Sequence, residues 1–300
     1  MPPAVLEVER VAKSYGQVVA CQDVSFIVAP GELFGLAGSG GAGKTTTVRL
    51  VLGVLAPDAG EVRYGGEPVT LSTRRRFGYL PEERGLYPRM RVLDQLVYLA
   101  ELHGLTTNEA HKAAEIWLAR LGLRARRGDQ VQRLGLADRQ RVQLAAALVH
   151  DPEVLVLDEP FAGLDPAGAA LLGDVLAERA AAGSPVLFTS RQLDLVERLC
   201  DRVGILQNGH MVASGTVDEL SAGSRLELLV EAPDAPPGWA DAVPGVEVLE
   251  VHNGRTRLHL RNGVDDQAVL SAALATGPVR EFTRLRPTLA QLYRDVVRGD

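Results

Sequence analysis

Apolar and polar residues alternate over residues 5–11, the two-residue period of a half-buried strand. Short apolar runs at 24–28 and 33–37, parted by Pro30-Gly31, predict two more strands. A glycine-rich loop at 38–43 leads into a helical segment at 44–53. Residues 77–80 read as a strand end stopped by Pro81. Helical spacing recurs at 92–102, at 109–121 with Thr107 or Asn108 as cap, and at 138–149. The apolar run 154–157 has the pattern of a strand buried on both faces of a parallel sheet, and 186–189 reads as another buried strand. Helices are predicted at 167–182, ending at Gly183, and at 193–200. Asn208-Gly209 at the centre of 205–212 signals a hairpin.

Buried strands alternating with helices imply an α/β fold with a mainly parallel sheet. Near residue 221 the texture changes. Residues 232–238 are rich in proline and loop-like, a second hairpin is predicted around Asn253-Gly254, and helices at 266–275 and 288–297. We therefore expect a first domain at 1–221 and a small α+β domain at 222–300. His252 and His259 sit on the second hairpin and read as surface or packing residues.

Composition narrows the function. The chain of 300 residues is 46% apolar and 23% charged, like a globular protein with a real core. A net charge of −6 argues against a protein held on nucleic acid by charge alone. Cys21 and Cys200 make no disulfide framework, and no Cys/His cluster suggests zinc. The start has no signal-peptide pattern, and no apolar stretch reaches the ~18–20 residues of a spanning helix. The expectation is a soluble protein that would serve a membrane only through a partner. Lysine is rare, confined to Lys13, Lys44 and Lys112, which singles out Lys44.

Gly38-Ser39-Gly40-Gly41-Ala42-Gly43-Lys44-Thr45 fits G-x-x-x-x-G-K-[ST], with a strand before it and a helix after it. Glycines let successive amides face inward and cradle phosphate oxygens, and the helix adds its positive end. Lys44 can reach the β- and γ-phosphates, Thr45 can place a hydroxyl on Mg²⁺, and Thr46 can donate to a phosphate oxygen. Downstream, the run 154–157 ends in Asp158-Glu159, two carboxylates at the strand edge where such sheets bind ligands. Asp158 can hold Mg²⁺ through water, and Glu159 can orient or deprotonate an attacking water.

Pro160-Phe161-Ala162-Gly163-Leu164-Asp165-Pro166 follows that pair, and the long stretch between Lys44 and Asp158 leaves room for an inserted helical subdomain. With these strings the chain resembles the ATP-binding subunits of ABC transporters over roughly residues 5–220. Gly78-Tyr79-Leu80-Pro81-Glu82-Glu83-Arg84-Gly85-Leu86-Tyr87-Pro88 resembles the exporter-type branch associated with sodium or drug efflux. Pro287-Thr288-Leu289-Ala290-Gln291-Leu292-Tyr293 is similar to the last helix of that branch's C-terminal extension.

The resemblance implies a phosphate-loop NTPase fold with N-terminal antiparallel strands and a helical subdomain at about 83–150. It implies ATP and Mg²⁺ as ligands, a homodimer or heterodimer of ATP-binding subunits, and a separate transmembrane permease on whose cytoplasmic side the chain sits. Tyr15 matches the aromatic that stacks on adenine. Glu82 stands where most members carry the glutamine that senses Mg²⁺ and the attacking water. Asp165 matches the aspartate that crosses the dimer interface.

Three departures stand out. The signature loop, usually Leu-Ser-Gly-Gly-Gln, is Leu134-Gly135-Leu136-Ala137-Asp138. Gly135 lacks the hydroxyl donor to the γ-phosphate, and Ala137 adds a Cβ to the segment that Gly135, Leu136 and Ala137 present to nucleotide. Asp138 suits the helix as a cap but repels phosphate. Arg191 replaces the switch histidine. It can bind phosphate but cannot accept a hydrogen bond. Ser39-Gly40 replaces the usual Pro-Asn. The expectation is a slow or asymmetric ATPase powering export. The alternatives are a non-transport ABC ATPase acting on ribosomes or DNA, and a regulatory ATP-binding module without turnover.

Overall fold

The computed structural model describes residues 4–83, 85–222, 226–261, 264–285 and 288–298. Arg84 and Pro287, which belong to two of the strings above, lie outside the described residues. The chain divides into two compact units, Met1–Thr216 and Val217–Asp300. The sequence texture had set that division at 221/222.

In the first unit β1 (Leu6–Tyr15) and β2 (Val18–Val28) form a hairpin, followed by β3 (Leu33–Gly38), α1 (Lys44–Val51), β4 (Ala59–Tyr64), β5 (Glu67–Pro68), α2 (Leu71–Arg74) and β6 (Phe77–Leu80). Three longer helices come next: α3 (Val92–Leu102), α4 (Thr107–Arg120) and α5 (Leu136–Leu148). The unit closes with β7 (Val154–Leu157), α6 (Pro166–Ala181), β8 (Val186–Ser190), α7 (Leu193–Leu199), β9 (Arg202–Gln207) and β10 (His210–Thr216).

Two sheets share one core. An antiparallel sheet runs β2-β1-β4-β5, and a second runs β10-β9-β3-β8-β7-β6. The second is parallel apart from β10, with Leu36 opposite Thr189, Leu157 opposite Phe188 and Leu80 opposite Leu157. That register sets the carboxyl ends of β3, β6, β7 and β8 side by side, where a doubly wound sheet presents its loops to a ligand. Phe34, Leu36, Val154, Val156 and Leu187 are fully buried in this core.

Several boundaries differ from the sequence expectation for identifiable reasons. The strand expected at 5–11 runs to Tyr15 because register shifts break its alternation without ending its pairing. Helix α4 is capped by Thr106 rather than Thr107 or Asn108. Thr106 accepts the Glu109 amide and Glu109 accepts the Thr106 amide, a reciprocal capping box. Helix α5 begins at Leu136 with Gly135 as its N-cap, so Asp138 is its third residue and not a cap. Strand β4 was missed, since only Val62 and Tyr64 of Ala-Gly-Glu-Val-Arg-Tyr are buried.

The second unit holds α8 (Val217–Ala222), β11 (Leu226–Glu231), β12 (Val246–His252), β13 (Arg255–Leu260), α9 (Asp266–Thr276), β14 (Glu281–Leu285) and α10 (Leu289–Arg298). Its antiparallel sheet runs β12-β13-β11-β14, over a core of Leu228, Val230, Leu258, Leu260 and Val269. His252 is exposed and hydrogen-bonds Asn253. Among the described residues no helix is long and apolar enough to cross a membrane.

Candidate functional site

The loop after β3 wraps the start of α1. Gly43 has φ 104°, and a Cβ there would sit 2.3 Å from the Ala20 carbonyl oxygen, so both its dihedral and the close approach of β2 require glycine. Gly41 has φ 80°, and a Cβ there would meet nothing within 4 Å among the described residues, which leaves the loop's outer side open to a ligand. Gly40 is open in the same way, and Ser39 is exposed while Ala42 is buried. Helix α1 has no side-chain cap and no acidic residue in its first turn, so its leading amides and positive dipole are available to an anion. Thr45 and Thr46 lie in that turn, half-buried.

Lys44 is buried and held in place. Its Nζ donates to the Gly38 and Ser39 carbonyls at 2.8 and 3.0 Å and lies 3.3 Å from Glu159 Oε1. Beneath the loop, Thr47 donates to the Gly43 carbonyl at 3.0 Å and meets the buried Cys21 thiol at 3.3 Å. Burial pushes that thiol's pKa up, so it braces the loop as a neutral group. Neither Cys21 nor Thr47 stood out in the sequence, because only β2's position over the loop gives them a role.

The acidic edge is organised by Thr189 at the end of β8. Its hydroxyl donates to Asp158 Oδ1 at 2.6 Å and accepts from the Glu159 amide at 2.8 Å. Asp158 is fully buried, and among the described residues its Oδ2 has no hydrogen-bond partner. A buried carboxylate oxygen without a donor is costly unless a cation serves it. Burial, with the Asp158 charge as the next cause, pushes the Tyr79 phenol up to about 12. Glu159 has φ 50°, a left-handed backbone that costs a non-glycine residue on the order of 1–3 kcal/mol. The turn that holds it is closed by the Ala162 amide on the Glu159 carbonyl.

Glu82 and Arg191 complete the group. Thr45 donates its hydroxyl to Glu82 Oε2 at 3.4 Å, Arg191 Nη2 donates to Glu82 Oε1, and Arg191 Nε lies 3.3 Å from Glu159 Oε1. Lys44, Thr45, Glu82, Asp158, Glu159 and Arg191 are thus drawn together by the adjacent ends of β3, β6, β7 and β8. Tyr15, Asp165 and residues 135–137 make no hydrogen bond or ion pair with this group among the described residues. Tyr15 is exposed at the β1–β2 turn. Asp165 is the N-cap of α6 and accepts the Gly168 amide at 2.7 Å. Leu136 is exposed and leans on Gly163, at whose Cβ position its side chain would lie 2.3 Å away. Asp138 is not the free negative charge expected from sequence: it pairs with Arg141 at 2.5 Å and Arg126 at 3.7 Å.

A family model described as ABC transporter matches residues 21–162, and one described as ATP-binding protein DrrA1-3-like, C-terminal domain matches residues 215–297. The chain is 33% identical over 293 residues to the ABC transporter ATP-binding protein YhaQ of Bacillus subtilis (strain 168), covering 98% of each. It belongs to the ATP-binding subunits of ABC transporters. It is also 35% identical to the linearmycin resistance ATP-binding protein LnrL of the same organism, covering 72% of this chain and 70% of that one. Nod factor export ATP-binding protein I of Paraburkholderia xenovorans (strain LB400) is 38% identical, covering 74% of each. A solved structure described as an ATP-binding subunit of an ABC transporter superposes with TM-score 0.68 at 31% identity, over 73% of this chain and 92% of that chain. As a member of this family the chain is an ATPase subunit of a transporter that binds ATP, dimerises and works with transmembrane permease components.

The residues present fit Mg²⁺ as well as ATP. Asp158 Oδ2, without a hydrogen-bond partner among the described residues, the Thr45 hydroxyl and Glu82 are all oxygen donors. That suits an ion that keeps waters and relies on substrate phosphates for the rest of its shell.

Proposed function

We propose that this subunit powers export through a separately encoded membrane permease, lying against the inner face of the membrane, and that its turnover is slow or asymmetric. Relatives named for Nod factor export and linearmycin resistance support the direction of transport. An apolar groove of about 410 Å³ beside the Glu82 loop, lined by Leu52, Val54, Phe77, Leu86, Leu99 and Ala147 among others, is suited to take an apolar permease segment.

Mg²⁺, held by Thr45, Asp158 and Glu82, would withdraw charge from the phosphate oxygens. The chain's own residues do the rest. Amides of the 38–43 loop and of the first turn of α1 bind phosphate oxygens, with Gly38, Ser39, Gly40, Gly41, Ala42 and Gly43 supplying backbone and Thr46 a hydroxyl. Lys44 neutralises the β- and γ-phosphates. Glu159 orients the attacking water and accepts its proton. Tyr15 stacks on the adenine of the same chain. Gly135, Leu136 and Ala137 at the start of α5 face the nucleotide of the opposite subunit in the dimer, with Asp165 at the interface. Dimer closure and reopening pass to the permease through the Glu82 loop.

The observation that carries the slow reading is Gly135. It is an N-cap with no side-chain donor or acceptor, so the opposite γ-phosphate receives helix amides but no hydroxyl. Loss of one donor of this kind typically costs ~10²–10³ in rate. A heterodimer with a second ATP-binding subunit whose signature is complete would restore the intact phosphate site of this chain. Single-turnover ATP hydrolysis by the purified chain, alone and with its partner subunit, decides the matter. We expect the isolated chain to be slower by roughly 100-fold. Equal rates would contradict the proposal.

A further inference from the structure

Lys44, Glu159, Arg191 and Glu82 form a chain of alternating charge. Lys44 Nζ and Arg191 Nε each lie 3.3 Å from Glu159 Oε1. The Arg191 amide donates to Glu159 Oε2 at 3.3 Å, and its Nη2 donates to Glu82 Oε1. The second Glu82 oxygen accepts from Thr45 at 3.4 Å. The guanidinium of Arg191 is therefore divided between two carboxylates on different strands, Glu159 after β7 and Glu82 after β6.

A planar fork of five donors can serve both carboxylates at once, whereas one imidazole cannot. The same fork makes Arg191 hazardous beside a catalytic carboxylate. Bidentate pairing is the preferred geometry of arginine with a carboxylate. A guanidinium free to close on Glu159 would occupy both of its oxygens and leave none to receive the attacking water. Glu82 prevents this closure by holding Nη2.

We propose that Arg191 is a positioning residue whose charge must be shared, and that Glu82 is its required counterpart. Each loop also reports on the other, because the Glu82 loop can move only if the guanidinium bridging it to Glu159 lets go or follows. The inference rests on the ATPase reading of the same site and adds to it a dependence between two side chains.

The test is a four-form comparison of the full chain with its partner subunit: the parent, E82Q, R191H and E82Q/R191H. Steady-state kcat and KM for ATP are measured, together with the dissociation constant of ATP in EDTA as a readout independent of turnover. E82Q lowers kcat in both backgrounds, because Glu82 also serves the metal, but the fall is expected to be about 10-fold larger where Arg191 is present than where residue 191 is histidine. The metal-free dissociation constant stays within about 3-fold in all four forms, since the pairing acts on Glu159 and not on the grip of the phosphate loop, while E82Q shifts KM for Mg·ATP by the same factor in both backgrounds. Rescue in the double variant excludes simple misfolding. An equal fall in both backgrounds overturns the pairing and leaves the ATPase reading standing, while absence of turnover in every form overturns both.

Discussion

Thr189 donates its hydroxyl to Asp158 at 2.6 Å and accepts the Glu159 amide at 2.8 Å, so one side chain on β8 sets the position of both carboxylates that end β7. The hydroxyl is fully buried. In Thr189→Val the shape survives and both hydrogen bonds are lost. Asp158 then keeps neither oxygen satisfied, at a cost of ~1–3 kcal/mol, and the left-handed backbone at Glu159 loses its tie. We expect single-turnover hydrolysis to fall by roughly 10–100-fold, with Thr189→Ser retaining most of the rate. Parent-like turnover in the valine variant would show that the carboxylates are positioned by something else.

Thr189 also illustrates what could be read in advance. The phosphate loop and the Asp158-Glu159 pair were legible because their chemistry is written in contiguous residues with fixed spacing. The parallel sheet was legible because its strands are buried on both faces and read as short apolar runs. Thr189, Cys21 and Thr47 carried no such mark. Their roles arise only when β8 is laid beside β7 and β2 beside the loop, and a threonine at a strand end looks the same with or without a carboxylate opposite. The pairing of Arg191 with Glu82 was hidden for the same reason, although each residue had been singled out by itself. Thr106 and Glu109 are the converse. Their capping-box spacing was present in the sequence, and the helix start was still set two residues late, at 109 instead of Thr107.

The signature departure is testable in isolation. Gly135 has φ −65°, and a Cβ at that position meets nothing within 4 Å among the described residues. Serine is therefore accommodated without strain. As an N-cap it changes stability by only a few tenths of a kcal/mol relative to glycine. Gly135→Ser supplies the missing hydroxyl, and we expect the isolated chain to turn over about 10-fold faster. An unchanged rate at unchanged stability would show that the hydroxyl is not what limits this subunit.

Asp138 is predicted to act on stability rather than on nucleotide. Its carboxylate is committed to Arg141 and Arg126. Asp138→Asn should lower stability to urea by about 1 kcal/mol while leaving the ATP affinity of the assembled dimer within about 3-fold. A rise in affinity of 10-fold or more would mean that the charge does repel phosphate.

His150 makes the first unit sensitive to acid. Its ring stacks on His103 with centroids 3.6 Å apart, and burial, with His103 as the next cause, lowers its pKa from 6.5 to about 4. The folded state then binds fewer protons than the unfolded state between those two values, so stability rises with pH across that window and falls on acidification. The loss attributable to His150 between pH 7 and pH 5 is roughly 2 kcal/mol. Urea unfolding of His150→Gln should show a correspondingly smaller drop over the same interval. An identical drop in parent and variant would assign the acid sensitivity elsewhere.

The account stands on Lys44 and the loop around it gripping the triphosphate of ATP. Equilibrium binding of radiolabelled Mg·ATP to the parent chain and to Lys44→Ala, each with its partner subunit, tests this most directly. We predict one saturable site per chain in the parent and affinity weaker by about 100-fold in the variant. No saturable binding to the parent chain, or equal binding by both forms, would contradict it.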